Sequence, residues 1–232
     1  MKALILTGGR GKRLRQITDY VPKPLVPLNG IPIIEWQIRY FKKFGINNFV
    51  ICSGYKSEQI KNYLECKKNL GAKINYSVEQ SPLGTGGAIK NGQRFIDDES
   101  FFVINGDVIT DLDPGPLKSK QNSIAVVPLR TSFGVVEVIN EKIARFEEKP
   151  TIPQYWMNAG VYYLSKEIMR YLPKRGNIES SVFPIFATKG RLSAIKYPKA
   201  LWYSIDSHKD MEECARNMRL VRYDKFLNEE KK

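Results

Sequence analysis

Short apolar runs separated by segments of helical periodicity constrain this chain most tightly. Lys2–Thr7 is such a run, and Phe49–Cys52, Phe101–Ile104 and Ser123–Leu129 repeat it, with Ile74–Val78 as a further strand between them. A continuous apolar run of this length reads as a strand buried on both faces. Between the runs, Ile33 to Phe44 carries apolar residues at helical spacing (Ile34, Ile38, Phe41), with Pro32 at its start and Gly45 at its end. Ser57 reads as the N-cap of a helix through about Lys68, and Gly84–Phe95 as loop into helix. Strand and helix in alternation predict an α/β fold with a mainly parallel sheet covered on both faces.

The second half changes texture. Gly134–Ile139 and Ile143–Phe146 flank Asn140-Glu141 as a hairpin, and Val161–Leu164 is a further strand. Short helices near Lys166–Tyr171 and Ile178–Ala187 precede late strands at Arg191–Tyr197 and Leu201–Ile205. Ser207 to Asp210 fits a capping box opening a last helix, with Met211, Cys214, Met218 and Val221 on one face. No repeat or linker interrupts the chain, so a single domain over 1–232 is expected, the nucleotide half at about 1–130 and an acceptor half at about 131–232.

Composition removes several kinds of chemistry. His208 is the only imidazole, and Cys52, Cys66 and Cys214 form no CxxC pair, so histidine catalysis and a Cys/His zinc site are both excluded. The odd cysteine count suits a reducing compartment, and a cytoplasmic location is expected. No apolar run approaches the roughly 20 residues of a membrane span, and the opening run is too short and wrongly flanked for a signal peptide. The formal charge of +13 admits an anionic partner. The basic residues are spread along the chain and join no nucleic-acid motif, so nucleic acid is the weaker reading.

Four segments carry candidate chemistry. Leu6-Thr7-Gly8-Gly9-Arg10-Gly11-Lys12-Arg13-Leu14 puts glycines directly after a strand, where backbone N–H groups can approach phosphate, and adds three cations. It is neither a Walker A loop nor a dinucleotide fingerprint. In Pro22-Lys23-Pro24 the prolines restrict the backbone around one ammonium. Glu79 to Ala88 is a second Gly-rich turn, where an acceptor-only carboxylate suits the two adjacent donors of guanine. Asn105-Gly106-Asp107 places a carboxylate at a strand end, suited to Mg²⁺, a hard ion that bridges phosphates.

The order GGRGKRL, PKPL, LGTGGA, NGD, FGVVE, FEEKP, NAGVY closely resembles the sugar-1-phosphate nucleotidylyltransferases, from about Ala3 to Val161 and more loosely to the end. The motifs look most like those of heptose- or mannose-1-phosphate guanylyltransferases. The resemblance implies a Rossmann-like three-layer fold that transfers a nucleotidyl group from an NTP to a sugar 1-phosphate. It implies that Gly8, Gly9, Gly11 and Arg13 hold the triphosphate, with Lys23 near the reacting centre. Glu79 and Gly84 then contact the base, and Asp107 binds Mg²⁺. Gly134, Glu148, Lys149, Asn158 and Gly160 fall to the sugar phosphate. The attacking oxygen is already anionic, so the reaction requires positioning and charge neutralisation but no general base.

Two departures stand out. Lys12 replaces the family's usual Thr. In place of W-x-D-x-G-T the chain has Trp202-Tyr203-Ser204-Ile205-Asp206-Ser207, which aligns Ser204 with the second metal ligand; Asp206 is expected to take that role. Thymidylyl, uridylyl or cytidylyl transfer to glucose 1-phosphate, or a catalytically silent sugar-nucleotide-binding relative, are the alternatives. A homo-oligomer stays open. A C-terminal hexapeptide β-helix, found in longer relatives, is not expected.

Overall fold

A computed structural model describes residues 1–67, 70–131 and 133–220. The expected alternation is present: β1 (Lys2–Thr7), α1 (Arg15–Thr18), two short paired strands β2 (Pro27–Leu28) and β3 (Ile31–Pro32), α2 (Ile33–Lys43), β4 (Asn48–Ser53), α3 (Ser57–Cys66), β5 (Lys73–Val78), α4 (Gly84–Asn91), β6 (Ser100–Asn105), β7 (Val108–Thr110) and β8 (Ser123–Arg130). The second half follows with β9 (Val135–Ile139), β10 (Lys142–Glu147), β11 (Thr151–Ser165), α5 (Ile178–Ser181), α6 (Phe183–Thr188), β12 (Ser193–Lys196), β13 (Trp202–Ser204) and α7 (His208–Leu220).

Seven strands form one sheet in the order β12-β8-β11-β6-β1-β4-β5. Neighbours run parallel except at β11, which is antiparallel to both β6 and β8. Both faces are buried, and strict alternation along β1 shows how. Ala3 and Ile5 point to a core with Ile34, Ile38 and Phe41 of α2, whereas Leu4 points to a second core with Ile89 of α4 and Phe183 and Phe186 of α6. A third cluster joins Ile33 and Trp36 of α2 to Cys214 and Met218 of α7. The last helix thus packs its expected stripe inward; Val221 lies outside the described residues.

Several boundaries differ from expectation for local reasons. Lys56, not Ser57, takes the cap position of α3, with a left-handed φ of 51°, and Ser57 is the first helical residue. The predicted end of that helix at Lys68 lies outside the described residues. The Val161–Leu164 strand is the end of the 15-residue β11, whose pairing with β8 shifts register on both sides of Trp156–Asn158. The β9–β10 hairpin turns at Asn140 and Glu141, both with positive φ, and stands apart from the main sheet. Its cross-strand pairs Val138–Ile143 and Val136–Phe146 are largely exposed.

Phe102 sits at the centre of the first core, fully buried between Phe41 and Tyr163. Phe102→Ala is expected to lower the unfolding free energy by about 3–5 kcal/mol. Urea titration checks this, as a lower midpoint with an unchanged m-value.

Candidate active site

The chain leaves β1 toward β4 and β5 on one side and returns to its other side as β6. Open α/β sheets bind ligands at such a reversal, beyond the carboxyl ends of the strands. Two adjoining recesses open there, of about 350 and 850 Å³. They share Leu6, Gly9, Lys12 and Thr85.

The smaller recess is built around Lys23. Its ammonium donates to Asp107 Oδ2 and to Asp206 Oδ1, each at 2.8 Å. Arg13 Nη1 lies 3.1 Å from Asp206 Oδ2. Each group is placed by backbone geometry. Gly11, at a φ of +63°, leaves room for the Lys23 stem, which a Cβ there would meet at 3.1 Å. Gly106 N–H donates to Leu6 O, and a Cβ at Gly106 would lie 2.3 Å from that oxygen. Gln37, buried in α2, donates to the carbonyls of Asn105 and Val108 and so holds the Asn105-Gly106-Asp107 turn from beneath. The β7–β13 ladder continues as Ile205 N–H to Asp107 O, which sets Asp206 beside Asp107 although 99 positions separate them in sequence.

Burial alone would raise the Asp206 carboxyl. Its hydrogen bond and charge contact with Lys23, the Arg13 charge and the Ser204 hydroxyl outweigh that and hold it below the usual carboxylate range. Ser204, the alignment candidate for metal binding, instead donates to Asp206 Oδ2 at 3.2 Å. Among the described residues no group of three or more His, Cys, Asp or Glu could hold a metal. The pair Asp107 and Asp206 offers oxygens converging on one point. This fits Mg²⁺, which takes one or two protein carboxylates and fills its remaining positions with phosphate and water.

The larger recess is lined by Gly8, Arg10, Gly54, Tyr55 and Glu79, with Gly84 and Asn177 at its far side. Glu79 packs against two glycines: a Cβ at Gly8 would lie 2.1 Å from Oε1 and one at Gly54 2.7 Å from it. Burial pushes the Glu79 carboxyl up, offset in part by Leu83 N–H, which donates to Oε2 at 3.2 Å. The Arg10 guanidinium stacks over the Tyr55 ring at 5.2 Å.

The glycines of Leu83–Ala88 have a second task. Gly86 and Gly87 N–H both donate to Gly176 O, and Gly176 N–H donates to Leu83 O. A Cβ at Gly84 would meet Gly176 backbone at 2.7 Å, and one at Gly87 the Lys174 carbonyl at 2.7 Å. They let two backbones touch across the halves of the chain.

With this geometry in hand, comparison with known proteins decides the family. The model of the family described as "Nucleotidyl transferase" matches residues 2–219. The chain belongs to the nucleotidyl transferase family. The transferase is 40% identical over 173 residues to the D-glycero-alpha-D-manno-heptose 1-phosphate guanylyltransferase of Campylobacter jejuni, covering 72% of this chain and 77% of that protein. It is 35% identical over 225 residues to the mannose-1-phosphate guanylyltransferase catalytic subunit beta of Danio rerio, covering 90% of this chain and 62% of that protein. Among solved structures, HddC from Yersinia pseudotuberculosis superposes with a TM-score of 0.76 at 28% identity, over 94% of this chain and 99% of that one.

The predicted residues of the transferase divide in two. Gly8, Gly9, Gly11, Arg13, Lys23, Glu79, Gly84, Asp107 and Asp206 all line the recesses. Gly134, Glu148, Lys149, Asn158 and Gly160 line neither. Glu148 and Lys149 lie at the foot of the hairpin, paired at 3.5 Å and half exposed. Gly160, at a φ of +68°, abuts the Asn105 side chain, and Asn158 donates to the Tyr162 hydroxyl. Sequence reading missed Gln37, Gly54, Tyr55 and Asn177, none of which stands in a recognisable motif. No helix of the described residues is long and apolar enough to cross a membrane.

Removing the shared ammonium tests this arrangement. Lys23→Met is expected to lower stability by about 1–3 kcal/mol at pH 7. Asp206 titrates low in the folded state, so its contribution is complete above the ordinary carboxylate range and lost as pH falls through the folded value. The difference between wild type and Lys23→Met therefore shrinks below about pH 4. Urea titrations at a series of pH values check it.

Proposed function

We propose that this transferase moves a guanylyl group from GTP to a heptose or mannose 1-phosphate and releases pyrophosphate. The convergence of Lys23, Arg13, Asp107 and Asp206 on one recess, next to the recess holding Glu79, carries the reading. The named relatives support it, as they are guanylyltransferases of those two sugar classes. A solved structure of the Yersinia protein is described as complexed with GMP-PN.

In this reading the triphosphate lies over the Gly8–Gly11 backbone, and Arg13 and Lys23 offset its charge. Mg²⁺ held by Asp107 and Asp206 supplies further neutralisation of phosphate charge. The phosphate oxygen of the sugar attacks the α-phosphorus in line with the pyrophosphate leaving group, and both substrates are held for that approach. From the foot of the hairpin Glu148 meets the sugar hydroxyls and Lys149 the sugar phosphate, with Gly134, Asn158 and Gly160 about the sugar. Lys23 bridges both carboxylates, so phosphate and metal binding redistribute its hydrogen bonds. Glu79, ionised, accepts from the two guanine donors.

Pyrophosphate release with GTP, CTP, UTP, dTTP or ATP, crossed with a panel of sugar 1-phosphates, tests the reading. Release is expected to require both substrates and to favour GTP; a preference for CTP overturns the base assignment, and no release from any pair overturns the reaction. Asp107→Asn is expected to reduce kcat about 100- to 1,000-fold. Glu79→Gln is expected to weaken GTP about 10- to 100-fold, from the loss of a charged acceptor.

A further inference from the structure

A chain of hydrogen bonds runs from the nucleotide recesses to the strand proposed to meet the sugar. Thr85, which lines both recesses, donates its hydroxyl to Glu179 Oε2. The Tyr162 hydroxyl donates to Glu179 Oε1 at 3.1 Å and accepts from Asn158 Nδ2 at 2.9 Å. Tyr162 is fully buried and lines neither recess. Glu179 sits in α5 directly after Ile178, whose N–H donates to Thr85 Oγ1 at 3.0 Å.

Donor counting shows why this position needs a carboxylate. The Tyr162 oxygen accepts from Asn158 Nδ2, and an ionised carboxylate facing it has no proton to give. The Tyr162 proton must therefore go to an acceptor, which is Glu179 Oε1. The Thr85 hydroxyl accepts from Ile178 N–H and sends its proton to Oε2. Both carboxylate oxygens are thus met by donors, and a group with an N–H at either end cannot satisfy them. Asn105 Nδ2 faces β11, where it would lie 2.7 Å from a Cβ at Gly160. Asn105 Oδ1 is buried without a hydrogen-bond partner.

We propose that Glu179 is a positioning residue that couples the nucleotide recesses to the sugar-side strand by holding the Thr85 and Tyr162 hydroxyls at once. This rests on the transferase reading above. The coupling predicts effects that cross from one substrate to the other. Thr85→Val, on the nucleotide side, raises KM for the sugar 1-phosphate. Tyr162→Phe, on the sugar side, raises KM for the nucleotide. Glu179→Gln raises both.

Steady-state pyrophosphate release by wild type, the three single variants and their double combinations tests it. Glu179→Gln is expected to raise each KM about five- to tenfold with kcat within about twofold of wild type. In its background, Thr85→Val and Tyr162→Phe are each expected to add less than about twofold. Unchanged KM values in Glu179→Gln, or fully additive effects, overturn the proposal. If Glu179→Gln fails to fold, the Thr85→Val/Tyr162→Phe cycle decides: additive effects on KM count against coupling, since the two side chains meet only through Glu179. If wild type shows no turnover, the transferase reading fails, and calorimetric binding of the tightest of the five nucleotides judges the coupling. Affinity in Tyr162→Phe and Glu179→Gln within twofold of wild type then overturns it. A wild type that binds none of the five overturns both.

Discussion

One ammonium between two carboxylates organises the site. Lys23, Asp107 and Asp206 come from a proline-bounded turn, the end of a parallel strand and the end of a short antiparallel strand. Like charges on Asp107 and Asp206 would repel if left alone at this distance from solvent. The cation removes that repulsion and leaves Asp206 titrating low. The same three groups serve a polyanionic ligand well, because each acidic oxygen already points at a place where positive charge is held. The geometry that steadies the two carboxylates thus also gathers positive charge in one recess.

A second constraint joins the halves of the chain. Gly84, Gly86 and Gly87 lie against Lys174, Gly176 and Asn177 with no space for side chains, and backbone hydrogen bonds run both ways across the contact. Asn177 Oδ1 also accepts from Thr85 N–H. A residue of the second half of the chain thus forms part of the larger recess. The smaller recess likewise draws Asp206 from near the end of the described chain. Each recess is therefore made by both halves.

Much of this was legible in sequence where chemistry and period agree locally. β1, β4 and β6 are buried on both faces, so their apolar runs are nearly unbroken and easy to read, and the edge strand β5 shows instead as Ile74, Tyr76 and Val78 alternating with polar residues. The first part of β11 was not, because Pro153, Asn158 and Gly160 interrupt it and its pairing slips twice. β2, β3, β7 and β13 are two or three residues long, below the length at which alternation carries a signal. In the site, the Gly8–Arg13 loop, Lys23 and Asp107 stood in motifs. Asp206 against Ser204 turned on a register that only the β7–β13 ladder decides. Gln37 and Asn177 are invisible to any local pattern, since a buried Gln in an apolar helix and an Asn in a loop each have many ordinary uses.

The reversed strand has a consequence for how the chain is made. β11 pairs with β6 on one side and β8 on the other, in the interior of the sheet. A nascent chain that has emerged through residue 130 contains β1, β4, β5 and β6, but β11, the partner of the outer edge of β6, is not yet made. β8 and β12 cannot join the sheet until β11 is inserted between them and β6. Synthesis therefore passes through a stage in which an apolar strand edge faces solvent for the time needed to add about 35 residues, a few seconds at ordinary elongation rates. During that stage chaperones and neighbouring nascent chains compete for the same row of backbone donors and acceptors that β11 will finally cover.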